Sequence, residues 1–227
     1  MGINFVEKID NLVKVKTVLI SVSDKSGLET FIPALLKINP DIRILSTGGT
    51  YNTIKEILGN KSSVILTQVS DYTGQPETKG GLVKTLDFKI YLGILTETYN
   101  DSHQNDLKRT NGSPIDMVIV NLYPFEATIQ KDDATPEMAR GNIDIGGPCM
   151  IRASAKNCLR VASVVDPNDY DSIIEELTTN KGMTSLETRF RLAQKAFSHT
   201  AGYDRAIADY LGEKTIADIK ACYSDIM

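Results

Sequence analysis

Short apolar segments rich in β-branched residues alternate along the chain with segments in which apolar residues recur every three or four positions. The first kind occupies residues 16–22, 42–46, 62–66, 89–95, 115–122 and 160–166. Segments of this kind, most of them followed by a helical pattern, are typical of βαβ units. The alternation therefore predicts an α/β fold with a central, mostly parallel sheet and helices on both faces.

The second kind of segment predicts amphipathic helices at residues 26–38, 50–58 and 168–177. From Thr184 onward the helical period continues, and Thr184 with Glu187 matches a capping box at a helix start. The sequence contains no internal repeat, low-complexity tract or linker rich in Pro, Gly or Ser. These features predict one domain over residues 1–227, with residues 184–227 as a helical extension.

Composition narrows the classes of ligand. The chain has 227 residues, 41% of them apolar, which is enough for a buried core, and a formal net charge of −4. The charge argues against a nucleic-acid surface, which needs a basic excess on one face. The three cysteines form no C-x-x-C or zinc pattern and favour a reducing compartment. The two histidines have no second ligand at metal-binding spacing, so no metal is expected.

Membrane contact is not expected either. No apolar stretch approaches the roughly 20 residues that a membrane helix needs. The first residues of the chain carry charges where a signal peptide has an apolar block. A cytoplasmic location is therefore predicted.

Polar and glycine-rich segments stand where the predicted strands end. They read "SVSDKSG" at 21–27, "STGGT" at 46–50, "NLYPF" at 121–125 and "NIDIGG" at 142–147. In an open parallel sheet, ligands bind beyond the carboxyl ends of the strands. These segments are therefore the candidate site.

The segment "STGGT" has the properties of an anion site. Gly48 and Gly49 allow the main chain to approach an anion, Thr47 and Thr50 add hydroxyl donors, and the helix that follows contributes its positive end. A phosphate group is the natural ligand. Gly-Gly pairs are also common in plain turns and helix caps, and that interpretation stays open for this segment taken alone.

The segment "SVSDKSG" offers similar chemistry. Ser21 and Ser23 are donors, and Lys25 supplies a point charge suited to phosphate. An ordinary turn is again the alternative. Neither segment matches the P-loop or the dinucleotide-binding fingerprint, so ATP hydrolysis and hydride transfer are not predicted.

In the segment "NIDIGGP", Gly146-Gly147-Pro148 predicts a helix entry with Pro at the first helical position. Lys156 would lie two to three turns further along that helix. Asp144 and Lys156 can face the same cleft only if the strand exit folds back over the helix, which the residues themselves do not decide.

Together these motifs resemble a known family. They are "SVSDKSGL", "STGGT", "SDYTGQPE", "VKTL", "NLYPFEAT", "NIDIGGPCMIRASAKN", "DPNDYD" and "SLETRFRLAQKAFSHTAGYDRAIADYL". In this order, from about residue 16 to 210, they are similar to the IMP cyclohydrolase domain of the bifunctional purine-biosynthesis enzyme that also carries AICAR transformylase. The resemblance implies a methylglyoxal-synthase-like fold. It also implies dehydrative closure of 5-formamidoimidazole-4-carboxamide ribotide (FAICAR) to inosine monophosphate (IMP), without metal or cofactor.

The resemblance also implies roles for individual residues. The phosphate contacts it implies are Ser23, Asp24, Lys25, Thr47, Gly48, Gly49 and Thr50, followed by Lys84 and Thr85. The residues it places around the ribose and base are Asn121, Tyr123, Asp144 and Ile145. Lys156 matches the lysine assigned as proton donor and acceptor, with Asp144 as its partner. During ring closure a negative charge develops on the formyl oxygen. Lys84, Tyr123 or main-chain N–H groups near Gly146 are expected to stabilise this oxyanion.

One stretch departs from the family pattern. Relatives usually read G-R-V-K-T-L-H-P-x-V-H-x-G-I-L where this chain reads "GLVKTLDFKIYLGIL". Leu82 replaces an arginine that faces the nucleotide, while Asp87, Phe88 and Tyr91 replace His, Pro and His. Lys25 or Lys79 are candidates to compensate for the lost charge.

The sequence leaves other functions open. A domain that has lost turnover and only binds a purine nucleotide is one alternative, motivated by Leu82 and Asp87. Methylglyoxal synthase, which shares the fold, is another. A homodimer and a separate AICAR transformylase are the possible protein partners.

Overall fold

The computed structural model describes residues 5–76 and 85–224. The strands, numbered along the chain, are β1 (Leu12–Lys14), β2 (Thr17–Val22), β3 (Arg43–Ser46), β4 (Leu66–Gln68), β5 (Met117–Asn121), β6 (Ala162–Val164) and β7 (Met183–Ser185). Five of them form a parallel sheet in the order β4-β3-β2-β5-β6. Strands β1 and β7 form a small antiparallel pair. The predicted parallel α/β sheet is confirmed.

Helices cover both faces of this sheet. They are α1 (Leu28–Ile38), α2 (Gly48–Leu58), α3 (Ser62–Ile65), α4 (Val69–Thr73), α5 (Phe88–Leu95), α6 (Asp101–Arg109), α7 (Phe125–Ile129), α8 (Pro136–Gly141), α9 (Gly146–Lys156), α10 (Tyr170–Thr179), α11 (Leu186–Gly212) and α12 (Ile216–Lys220). None of the helices in the described part of the chain combines the length and apolarity needed to cross a lipid bilayer.

The strands are apolar on both sides because each face of the sheet has its own core. Val18 and Ile20 of β2 pack with α1, α2 and α10 on one face. Leu19, between them, packs with α5, α9 and α11 on the other. Successive side chains of a strand point to opposite faces, so a sheet covered on both sides requires a continuous apolar run. The long helix α11 contributes to both cores through Leu192 and Ala196.

Some predicted boundaries are wrong. Residues 89–95, predicted as a strand, belong to helix α5, because Asp87 caps its start by accepting a hydrogen bond from the Lys89 N–H at 2.7 Å. The i, i+4 pair Ile90 and Ile94 is then buried on one side. Most of the predicted strand at 62–66 is the short helix α3, and strand β4 begins only at Leu66.

The start of the long helix also differs from the prediction. Ser185, not Thr184, is its N-cap and accepts from the Thr188 N–H at 3.2 Å. Thr184 is fully buried within β7, which pairs with β1. Neither of these two strands was predicted, because each has only three residues and lacks a periodic pattern.

A buried ion pair joins the amino ends of the strands. Arg160 Nη1 donates to Asp116 Oδ1 at 3.0 Å, and both side chains are about nine-tenths buried. The other oxygen of Asp116 accepts from the Lys16 and Thr17 N–H groups at the start of β2. The remaining donors of Arg160 bind main-chain oxygens of residues 93, 94 and 96 at the carboxyl end of α5. One pair thus links β2, β5, α5 and β6.

Arg189 plays a similar part for the N-terminal segment. It is fully buried in α11 and donates to carbonyl oxygens of residues 10, 11, 158, 159 and 184. Its five N–H donors match this number of acceptors in a single rigid group. Arg189 therefore holds the β1–β7 pair against the body of the fold.

We expect Arg160→Met to lower the free energy of unfolding by about 3–5 kcal/mol, because it leaves the Asp116 carboxylate buried without its partner. Urea unfolding followed by circular dichroism measures the change. The matched control is Arg109→Met, whose guanidinium is paired with Asp106 in solvent and should contribute at most about 1 kcal/mol. Equal losses in the two variants would contradict the importance of the buried pair.

Candidate active site

A polar cavity of about 340 Å³ lies at the carboxyl ends of β2, β3 and β5. Most of the residues predicted from the sequence line it, namely Ser21, Ser23, Lys25, Thr47, Gly48, Gly49, Thr50, Thr85, Asn121, Tyr123, Asp144, Ile145 and Gly146. The parallel register brings these loops to one edge of the sheet, as the strand-exit rule predicts.

The amino end of α2 opens into this cavity. Gly48 adopts a φ of 44°, a left-handed value that favours glycine, and Thr47 before it is extended without a side-chain cap on the helix. The first N–H groups of a helix have no acceptor within it. Together with the helix dipole they form an anion-binding end.

Lys25 adds a positive charge beside this helix end. Its ammonium donates to the Ser23 carbonyl at 3.2 Å. A Cβ atom placed on Gly49 would lie 3.9 Å from the same ammonium nitrogen. The open N–H groups of α2 and the charge of Lys25 therefore converge on one corner of the cavity, which suits a small anion.

Three of the predicted hydroxyl donors hold the loops together. Thr50 is buried, and its hydroxyl accepts from the Val22 N–H at 3.0 Å and donates to the Val22 carbonyl at 2.9 Å. The hydroxyls of Ser21 and Thr47 lie 2.8 Å apart. These contacts fix the end of β2 against the start of α2. The hydroxyl of Thr50 is thereby fully engaged within the protein.

Asn121 holds the loop after β2 from the other side. Its amide oxygen accepts from the Ser23 and Asp24 N–H groups at 2.6 and 2.9 Å, and its amide nitrogen donates to the Asp24 carbonyl at 2.8 Å. Asn121 also lines the cavity. These hydrogen bonds show that its side chain supports the loop that carries Lys25.

Asp24 itself is not among the cavity-lining residues. Its carboxylate is exposed and accepts from the Ser26 hydroxyl and N–H at 2.6 and 2.9 Å, and these bonds hold the pKa of Asp24 below its ordinary value. The predicted phosphate contact of the Asp24 side chain is therefore not supported. Its place in the motif is explained by the turn that it stabilises.

Asp144 presents a half-buried carboxyl group to the cavity. One oxygen accepts from the Gly147 N–H at 2.8 Å, and the carboxyl group also accepts from the Tyr123 N–H. Burial raises the pKa of Asp144 above its ordinary value, although both hydrogen bonds act in the opposite direction. A carboxylate with a raised pKa is a stronger base than one in water.

The glycine at position 147 makes this arrangement possible. A Cβ there would lie 2.6 Å from the second carboxyl oxygen of Asp144 and 2.5 Å from Leu122. At Gly146 a Cβ would lie 2.5 Å from the hydroxyl of the buried Thr85. The Gly-Gly pair therefore lets α9 begin in direct contact with both groups.

Tyr123 and Ile145 form the outer rim of the cavity. Their side chains are 48% and 58% exposed, although both are large and apolar. Exposed apolar groups beside a polar cavity can pack against a flat, partly apolar ligand.

Lys156 is not part of this cavity. It is the last residue of α9, which begins at Gly146, and a rise of about 1.5 Å per residue separates the two ends by roughly 15 Å. Lys156 is exposed and lines a different cavity with His103 and Leu159. The predicted pairing of Lys156 with Asp144 is therefore wrong within a single chain, because Asp144 precedes helix α9 and Lys156 ends it.

The altered segment at residues 81–95 is described only in part. Lys79, Leu82 and Lys84 lie outside the described residues. Tyr91 is half-buried against the core that contains α9, and Asp87 is engaged as a helix cap. Across residues 5–76 and 85–224, no cluster of three or more His, Cys, Asp or Glu side chains could hold a metal ion.

The sequence did not predict the part taken by Tyr203. This tyrosine of α11 is buried, and its hydroxyl accepts from the Asp144 N–H at 2.8 Å. It lies 59 positions from Asp144 in the chain. In the sequence it is one more apolar position of an amphipathic helix, and no local signal marks its contact.

Two family models match consecutive parts of the chain. The model described as an MGS-like domain matches residues 27–149, and the model described as the AICARFT/IMPCHase bienzyme matches residues 154–225. The first match includes the loops at 46–50, 121–125 and 142–147. The second includes α11 and Tyr203.

Relatives of known name cover most of the chain. The "Bifunctional purine biosynthesis protein PurH" of Thermoanaerobacter sp. (strain X514) is 51% identical over 199 residues, which are 88% of this chain and 38% of the relative. The protein of the same name from Acetivibrio thermocellus is 47% identical over 200 residues, 88% of this chain and 37% of the relative. The chain thus spans less than two fifths of the length of these relatives.

A solved structure matches the fold. The structure described as "Crystal structure of ForH" is 31% identical and superposes with a TM-score of 0.70. The match covers 85% of this chain and 97% of that chain. Since one family model also accounts for more than half of its 227 residues, the chain belongs to the family of MGS-like domains.

Proposed function

We propose that this chain is an IMP cyclohydrolase, which closes the formamido and carboxamide arms of FAICAR to form IMP and water. The observation that carries the proposal is one cavity that is lined both by the amino end of a helix, which suits an anion, and by a half-buried carboxylate. Relatives named as bifunctional purine biosynthesis proteins, at 47–51% identity over 88% of the chain, support it.

The phosphate group of the nucleotide would bind at the amino end of α2. The open N–H groups of the helix and the ammonium of Lys25 neutralise its charge, and Ser23 offers a further hydroxyl. Because Thr50 and Asn121 hold both loops through hydrogen bonds to the main chain, this cradle is formed before the ligand arrives. A preorganised site loses less entropy on binding.

The imidazole ring would then lie toward Tyr123 and Ile145. Both are exposed and line the same cavity as Asp144, and Ile145 follows Asp144 directly in the chain. This position would bring both reacting arms of FAICAR beside the carboxyl group. Holding the two arms in contact supplies much of the rate, since effective molarities of about 10⁵ M or more are known for well-oriented intramolecular reactions.

Asp144 would move the protons of the reaction. The carboxamide nitrogen forms a bond to the formyl carbon and gives one proton to the Asp144 carboxylate. The formyl oxygen takes this proton and becomes a hydroxyl group. The hydroxyl then leaves as water with the proton of the formamido nitrogen, and a C=N bond completes the ring. This sequence involves no net oxidation or reduction and so requires no redox cofactor.

The charge that develops on the formyl oxygen needs a donor. The Tyr123 hydroxyl and the positive end of α9 are the candidates in the described part of the chain. Lys84, which lies outside the described residues, stays a prediction. An AICAR transformylase, on the same or another polypeptide, is the proposed source of FAICAR, and a cytoplasmic location stays a prediction as well.

A purine-nucleotide-binding module without turnover is the second candidate. The position of Lys156 at the far end of α9 favours it, because the proton donor implied by the resemblance is missing from the cavity. The raised pKa of Asp144 favours the enzyme instead, since the carboxyl group can both accept and return a proton.

We expect the purified protein to convert FAICAR to IMP faster than the uncatalysed reaction, followed by ultraviolet absorbance. Dihydroxyacetone phosphate serves as the control substrate and should give no methylglyoxal. If the protein binds IMP in calorimetry but converts FAICAR no faster than the uncatalysed reaction, the binding module is supported. Formation of methylglyoxal would support a methylglyoxal synthase.

Lys25→Ala should raise KM for FAICAR by roughly ten- to a hundredfold, because a charge-assisted contact contributes about 1.5–3 kcal/mol. Initial rates over a range of substrate concentrations measure it. The matched control is Lys55→Ala, which removes an exposed lysine from the last turn of α2, away from the cavity. An unchanged KM in the Lys25 variant would remove this lysine from the phosphate site.

Asp144→Asn should lower kcat by roughly 10²- to 10⁴-fold, as expected for the loss of a general base. In the wild type, kcat should fall as the pH drops through the pKa of Asp144, which burial raises above the ordinary 3.8. Tyr203 is a titratable neighbour of Asp144, and Lys25 and Tyr123 line the same cavity.

The pH dependence of kcat, measured for both proteins, tests this assignment. The acidic limb should be absent from the residual activity of the Asn variant. Asp132→Asn, in an exposed loop, is the control and should keep the wild-type rate. An Asn variant with wild-type kcat would exclude Asp144 as the base.

A further inference from the structure

Tyr203 connects the long helix α11 to the turn that carries Asp144. Its side chain is only 8% exposed. The hydroxyl accepts from the Asp144 N–H at 2.8 Å and donates to the Asn142 carbonyl at 3.1 Å. One hydroxyl group therefore satisfies both an N–H and a carbonyl of the 142–144 turn.

The ring of Tyr203 contacts a second loop of the cavity. It packs edge-on against Phe125, with ring centroids 6.2 Å apart and planes at 69°. Phe125 is 1% exposed and is joined to Tyr123 by a hydrogen bond from its N–H to the Tyr123 carbonyl at 2.8 Å. The same side chain thus holds the loop that presents Tyr123 and the turn that presents Asp144.

These two loops are also joined directly. The Tyr123 N–H donates to the Asp144 carboxyl group, which accepts from the Gly147 N–H as well. The carboxyl group is therefore held by Tyr123 and Gly147, while its own main chain is held by Tyr203. Removing the Tyr203 hydroxyl would remove both of its hydrogen bonds to the 142–144 turn. We expect the turn then to move relative to Tyr123 and Gly147.

We propose that Tyr203 is a positioning residue for ring closure, because its hydroxyl fixes the turn from which Asp144 reaches the reacting atoms. The inference rests on the proposed cyclohydrolase function. Tyr203 does not line the cavity and need not touch the substrate. It acts by keeping the carboxyl group at the distance that proton transfer requires, and small displacements of such groups are costly to the rate.

The chain offers a matched comparison for the hydroxyl. Tyr210 lies two turns further along α11, is also 8% exposed, and also packs edge-on against Phe125, at 5.8 Å and 89°. Its hydroxyl, however, is buried and has no hydrogen-bond partner among residues 5–76 and 85–224. Tyr203 and Tyr210 therefore share burial and ring contact and differ in what the hydroxyl binds.

The test compares Tyr203→Phe and Tyr210→Phe with the wild type. We expect kcat for FAICAR to fall roughly ten- to a hundredfold in the Tyr203 variant, with KM and the calorimetric affinity for IMP within about twofold of the wild type, because the phosphate cradle on α2 is untouched. The Tyr210 variant should keep both kcat and KM. All three proteins are measured below the lowest of their unfolding midpoints, so that only folded protein contributes.

The other outcomes are distinct. A wild-type protein without cyclohydrolase activity refutes the proposed function, and with it the role of Tyr203. An active wild type together with equal kcat in both variants overturns the positioning role alone. A Tyr203 variant that does not fold at any temperature, or that loses kcat and IMP affinity together, assigns the hydroxyl to general stability and likewise overturns it.

Discussion

The parallel pairing of β2 with β5 is the interaction on which the cavity depends. Its register sets Asn121 opposite Val22, so that the amide of Asn121 reaches the main chain of the loop that follows β2. On the other side, Thr50 of α2 bonds to both main-chain groups of Val22. The loop that carries Lys25 is thus clamped between two neighbouring strand exits. A change of one residue in the register would separate these partners and turn the side chains of β2 to the wrong core.

The two ends of the sheet differ in how far their polar groups are paired within the protein. At the amino ends, Arg160 and Asp116 pair with each other, and Asp116 also accepts from the N–H groups of residues 16 and 17. These contacts stabilise the fold. At the carboxyl ends, the first turn of α2 keeps open donors and Asp144 carries a carboxyl group with a raised pKa. Such groups cost stability in the free protein. A ligand that completes them recovers that cost, which is the physical reason for assigning function to this end.

Local pattern predicts much of the fold and many of the residues that line the cavity, because both depend on residues close together in sequence. The apolar runs at 16–22 and 115–122 became the central strands, and "STGGT" became a helix start with an open end. Predictions failed where distant contacts decide. The apolar run at 89–95 predicts a strand, because it conceals the helix cap at Asp87. Only the resemblance places Lys156 in the site, and Tyr203 reaches Asp144 across 59 positions.

The two matched family models divide the chain into a part that lines the cavity and a C-terminal part that packs behind it. Helix α9 crosses that boundary, beginning at the Gly-Gly pair beside Asp144 and ending at Lys156. Helix α11 lies wholly in the second part and packs on α9 and β6. The MGS-like part supplies the anion-binding helix end and the carboxyl group. The second part supplies the buried hydroxyl that holds the turn of that carboxyl group. The position of the carboxyl group in the first part therefore depends on the packing of a helix from the second.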